Sequence, residues 1–201
     1  MSHPRAVWRR VVFGAIALLG CSCHSAARGD ATPVHRFDER GLFVEAGLIV
    51  DGRPAGCWLR RREDGENRIL SVYNSRGSIV VDILVDSSSV SGSSIRVDIV
   101  VPGEDAIWRI NRALELTCYQ RVGDVDAGYY FQFWGTGGIH LTGTMSDGRR
   151  EGLWRDFKQD GSLFMEGHYL QGQRVGSWRI YDEDGEFKEC PAEKVGSIYG
   201  Q

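Results

Sequence analysis

The chain has 201 residues, 42% hydrophobic and 25% charged, with a formal net charge of -3, which suits one globular domain able to bury a core. The first 20 residues hold three arginines and no acid, so the remainder carries 21 bases against 27 acids, a net charge of -6. That balance argues against nucleic-acid binding, because a phosphate footprint needs clustered excess base.

Arg5, Arg9 and Arg10 precede an apolar run over residues 11–20, far shorter than the roughly 20 residues a helix needs to cross a hydrocarbon core. A basic stretch followed by a short apolar run predicts a secretory signal over residues 1–20. The run ends Leu18-Leu19-Gly20-Cys21 and resembles the lipobox of bacterial lipoproteins. That resemblance implies cleavage before Cys21 and a membrane anchor of diacylglycerol on its sulfur. Ser22 stands where such families use Asp to hold a protein at the inner membrane, so the outer membrane is favoured. The alternative is cleavage after Ser25-Ala26-Ala27 and free secretion. Residues 21–36 are rich in Ser, Ala, Gly and Asp without apolar periodicity and predict a flexible tether.

A repeat begins beyond the tether. Gly47, Asp51-Gly52, Gly56, Trp58 and Asp64-Gly65 return 96 residues later as Gly143, Asp147-Gly148, Gly152, Trp154 and Asp160-Gly161. Within the last third the step is 24: Trp154 recurs as Trp178, Phe157 as Tyr181, and Asp160-Gly161 as Asp184-Gly185, while one step earlier stand Gly128, Tyr130, Phe133 and Gly137. Asp-Gly pairs mark tight hairpin turns, which need positive φ. The turns are assigned to Gly52, Gly65, Gly148, Gly161, Gly172 and Gly185. The segments between them carry aromatic and branched residues that suit strands. Stacked hairpins of this kind predict a mostly β fold, an antiparallel open or curved sheet over residues 37–187. Its repeat core comprises Trp58, Tyr130, Trp154, Phe157, Tyr169, Trp178 and Tyr181. The three-residue step from Trp154 to Phe157 predicts either a bulge or one aromatic on each face.

Residues 75–127 diverge from this pattern. Two β-branched runs, residues 78–85 and 94–101, flank a Ser-rich stretch and predict a long hairpin. Ile107, Ile110 and Leu114 fall at helical spacing, so residues 105–116 predict one short helix. Residues 188–201 are expected to form a disordered tail.

The repeat resembles the bacterial variant of the MORN repeat, the family labelled YwqK-type antitoxin. The likeness is strongest over residues 166–185, where Gly167, Tyr169, Gly172, Gly176, Trp178, Tyr181 and Asp184-Gly185 fill the motif, and covers somewhat under half of the chain. It implies β-hairpin repeats and a binding role, with motif residues that are structural and not catalytic.

Other residues yield weaker signals. With Cys21 committed to lipid, Cys23, Cys57, Cys118 and Cys190 allow three pairings. Cys57 with Cys118 is favoured because both lie in predicted strands; free half-buried thiols are the alternative. His140 and His168 lie out of register with the repeat and lack a ligand cluster, so they read as surface residues and no metal is expected. Gly135-Thr136-Gly137-Gly138 fails as a phosphate cradle because Gly137 is already a repeat turn. Glu183 and Asp184 fill a turn, where solvated acids are usual. Arg149, Arg150, Arg155, Arg174 and Arg179 alternate with acids and read as a solvated face. Trp134 lies one place off the repeat register and is either an outward interface anchor or an aromatic packed at a bulge.

The sequence thus predicts a non-catalytic, lipid-anchored envelope protein without cofactor, whose β-repeat surface binds a protein partner or scaffolds the envelope. An immunity protein or antitoxin neutralising a toxin is the first alternative, and an envelope hydrolase the third.

Overall fold

The computed structural model describes residues 31–63, 68–85, 95–112 and 115–196. Cys21 and Gly65 lie outside them, as does the Ser-rich stretch of residues 86–94. The fold is mostly β, built from two open antiparallel sheets and one short helix among the described residues.

The first sheet has five strands in chain order: β1 (Thr32–Phe37), β2 (Phe43–Val50), β3 (Arg53–Arg61), β4 (Arg68–Tyr73) and β5 (Ile79–Val85). The second has nine, also in chain order: β6 (Ile95–Val100), β7 (Ile107–Arg112), β8 (Leu116–Val122), β9 (Val125–Trp134), β10 (Gly137–Ser146), β11 (Arg149–Phe157), β12 (Leu163–Leu170), β13 (Gln173–Tyr181) and β14 (Phe187–Pro191). Helix α1 (Ala192–Val195) follows β14. Neighbours in space are thus neighbours in sequence throughout each sheet, as expected of short connections between antiparallel strands.

Two-residue turns of one backbone form join β2 to β3, β10 to β11 and β12 to β13. Asp51-Gly52, Asp147-Gly148 and Gln171-Gly172 occupy them, with φ near +50° at the first residue and +72° to +83° at the second. Two consecutive positive φ values match the right-handed twist of the flanking strands. Gly161 and Gly185 lie in the longer turns from β11 to β12 and from β13 to β14.

Strand alternation then separates two cores. Inward-facing Phe43, Leu48, Cys57, Leu59, Leu70 and Val72 of the first sheet meet Trp108, Ile110, Cys118, Phe131, Phe133, Ile139 and Phe157 of the second. A second cluster of Trp154, Met165, Tyr169 and Trp178 lies apart, on the other face of the nine-stranded sheet, with Val195 of α1 packed over it. Trp154 and Phe157 therefore belong to opposite faces, and the register shift falls between Asp156 and Phe157. A disulfide joins Cys57 of β3 to Cys118 of β8, tying one sheet to the other.

Four expectations are corrected. The two β-branched runs do not pair: β5 is hydrogen-bonded to β4 and β6 to β7, in different sheets. Residues 107–112 form strand β7, not a helix, because Trp108 and Ile110 both point into the inter-sheet core at a period of two. Strand structure begins at Thr32, inside the stretch read as tether. Residues 188–195, where a disordered tail was expected, continue β14 and form α1.

Candidate functional site

The outer face of β11, β12 and β13 carries the densest chemistry, and the repeat dictates its shape. Each repeat tryptophan lies flat on a glycine of the preceding strand. A Cβ at Gly47, Gly143 or Gly167 would stand 2.1–2.3 Å from the ring of Trp58, Trp154 or Trp178. Only a residue without a side chain lets the indole settle onto the backbone. Two of these indoles are also fixed at the nitrogen: Trp58 Nε1 donates to the Leu48 carbonyl and Trp154 Nε1 to the Thr144 carbonyl, each at 3.1 Å. Trp178 Nε1 is buried without a partner.

Between the rings of Trp154 and Trp178 stands Tyr169, edge-on to both, with centroids 5.9 and 5.2 Å away. Two arginines cover this row. The Arg150 guanidinium carbon lies 4.5 Å from the Trp154 ring centroid and 5.3 Å from that of Tyr169, and its Nη1 donates to the Tyr169 hydroxyl at 3.0 Å. Arg174 repeats the arrangement one unit on, 5.9 Å from Tyr169 and 5.3 Å from Trp178. Cation and ring attract through the ring quadrupole. A cleft of about 780 Å³ opens beside them, lined by Arg150, Tyr169, Arg174, Gly176 and Glu193 among others. A second of about 420 Å³ shares Arg150, Tyr169 and Arg174 and adds His140 and Asp156.

The opposite side of these strands is neutralised. Glu166 accepts hydrogen bonds from the Tyr181 hydroxyl at 3.0 Å, from Arg155 Nε at 3.2 Å and from Arg179 Nη1 at 3.3 Å. Burial pushes its carboxyl up, but these three donors outweigh burial and hold it below the usual carboxylate range. Arg155 and Arg179 are 24 residues apart and pair with Glu166 from the two neighbouring strands.

The residues singled out from sequence distribute as follows. Trp58, Trp154, Phe157, Tyr169 and Trp178 are buried, while Tyr130 and Tyr181 are half-buried. Trp134 is half-buried: its indole N–H donates to the Phe157 carbonyl at 3.0 Å and its ring stacks on His140 at 3.6 Å. His140 is not a free surface residue, since its Nδ1 lies 3.2 Å from a Glu115 oxygen and its Nε2 3.6 Å from one of Asp156. His168 is exposed. Of the arginines read as a solvated face, Arg149 is exposed, Arg179 is exposed but ion-paired with Glu166, Arg155 is ion-paired, and Arg150 and Arg174 lie on rings. Among the described residues, no group of three or more His, Cys, Asp and Glu side chains is placed to hold a metal.

Sequence reasoning missed two features. One is the Arg150 and Arg174 stack; its only signal was that both arginines fall at one position of successive repeats. The other is His35, packed 4.6 Å from the Phe157 ring with both ring nitrogens buried and unpartnered. Burial lowers its pKa to about 4.

No family model and no curated protein matches the chain.

Proposed function

We propose that this chain is a lipid-anchored envelope protein that binds a partner protein through the outer face of its nine-stranded sheet and catalyses no reaction. The observation that carries the binding reading is the stack of Arg150 and Arg174 over Trp154, Tyr169 and Trp178 beside an open cleft. Aromatic and arginine side chains dominate interaction hot spots because they offer large contact area and planar donors together. Leu18-Leu19-Gly20-Cys21 after a basic start supports export and anchoring. The Cys57–Cys118 bond supports the same reading, because such bonds persist in oxidising compartments.

The test has two parts. Intact mass of the protein from bacterial membranes should show cleavage before Cys21 plus acyl chains, lost in Cys21→Ser; full-length soluble protein would overturn the anchor. A photo-crosslinking residue at exposed Gln173 or Glu193, both lining the cleft, should give discrete protein adducts in the producing cell, and adducts absent at both positions would overturn partner binding at this face.

A further inference from the structure

We infer that the Arg150 and Arg174 cleft takes a carboxylate-bearing peptide segment, acidic side chains flanked by apolar ones; this deepens the partner-binding reading and rests on it. The first support comes from the repeat. The position of Arg150 and Arg174 is filled by Asp126 one unit earlier and by Pro54 four units earlier, so the hairpin geometry does not require a guanidinium there. The two cations appear only where a ring row is open to a cleft.

The second support is pairing. Elsewhere in this sheet arginines meet carboxylates: Arg109 with Asp98 at 2.6 Å, Arg121 with Asp126 at 2.9 Å, and Arg155 with Glu166 at 3.2 Å. Arg150 and Arg174 make no ion pair among the described residues, although exposed Glu193 lines the same cleft. Stacking uses the faces of a guanidinium and leaves its N–H edges free to fork onto a carboxylate. Arg150 has given one edge donor to Tyr169, and Arg174 Nε is buried without a hydrogen-bond partner.

The third is the choice among anions. A polyphosphate or an anionic bilayer is drawn by an extended positive field. Here two cations sit on a chain of net charge -3, with Glu193 at the rim and Asp156 in the adjoining cleft. One or two carboxylates match that charge. The apolar faces of Trp154, Tyr169 and Trp178 then receive the flanking side chains in an open cleft of about 780 Å³.

The experiment titrates the full chain with an acetylated, amidated hexapeptide alternating leucine and glutamate, and with its leucine–glutamine counterpart, following the indole N–H resonances of Trp154 and Trp178. The expected result is a saturable shift of both resonances with the glutamate peptide, at least tenfold weaker binding of the glutamine peptide, and a similar loss in Arg150→Gln/Arg174→Gln. The glutamine peptide on the unaltered protein decides the matter should that variant fail to fold. Equal affinity for both peptides, or no shift with either, would overturn the inference. So would Arg150- and Arg174-dependent binding to phosphatidylglycerol vesicles in preference to the glutamate peptide. Failure here with crosslinks retained at Gln173 or Glu193 removes the acidic-peptide chemistry alone, whereas loss of the crosslinks removes the partner reading beneath it.

Discussion

At the scale of single residues, glycine does two separable jobs in this repeat. Gly167 has ordinary φ but would place a Cβ 2.1 Å from the Trp178 ring, whereas Gly176 has φ of +66° with nothing within 4 Å of a built Cβ. Gly167→Ala should therefore cost about 1–3 kcal/mol through overpacking, and Gly176→Ala about 1–2 kcal/mol through left-handed backbone alone. The two are distinguished by Trp178 itself: its indole N–H resonance, assigned among the six tryptophans, should move in the first variant and stay in the second. An unmoved resonance in Gly167→Ala would show that the indole does not depend on that glycine. His35 gives the second residue-scale prediction. Its pKa is near 4 in the folded chain and 6.5 without burial, so between those values the unfolded chain binds more protons. Its contribution is whole above pH 6.5 and is lost as pH falls toward 4, with a slope of up to about 1.4 kcal/mol per pH unit. Denaturant midpoints should fall over that window and fall less in His35→Phe, which keeps the ring against Phe157. Identical pH profiles would place the acid sensitivity elsewhere.

Elements were legible where their signals were local. The 24-residue step exposed the hairpins of β9 to β13 because turn, glycine and tryptophan all lie within one unit. It could not say that alternation sends Trp154 and Phe157 to different cores, since that needs the first sheet to be in place against β10. The strand β7 was misread because Ile107, Ile110 and Leu114 mimic a helix, while the deciding pair, Trp108 and Ile110, is buried by contacts from another sheet. Pairing of β5 with β6 looked natural from their composition, but β-branched alternation does not specify a partner. Arg150 and Arg174 escaped notice because a cation over a ring is a fact of register between β11, β12 and β13. The outer face has a prediction of its own. Trp178 is 2% exposed although it stands next to the edge strand β14, with Tyr169 and Val195 against it. Trp178→Ala should cost about 3–5 kcal/mol, read as a lowered denaturant midpoint. An unchanged midpoint would mean that the face beyond β12 adds little to the cooperative fold.

For the molecule as a whole, the question is what makes two sheets one unit. Each sheet is a meander, so strand pairing links only neighbours in sequence and never crosses between sheets. Coupling comes instead from side-chain packing of β1, β2 and β3 on β10, from bonds such as Arg68 to the Gly135 carbonyl at 2.8 Å, and from Cys57–Cys118. The disulfide closes a 61-residue separation that spans strands of both sheets, so it confines the unfolded chain where pairing is weakest. Loop-closure entropy for a loop of that size amounts to about 4 kcal/mol. Cys57→Ala/Cys118→Ala should thus lower the unfolding midpoint and steepen the denaturant slope, because the released chain exposes more surface. Both sulfurs are fully buried, so reductant added to the native protein should act only as fast as the sheets part. The thiol-release rate should then rise with denaturant in step with unfolding. Immediate release in plain buffer would show that the sheets open separately and that the inter-sheet core is not one cooperative unit.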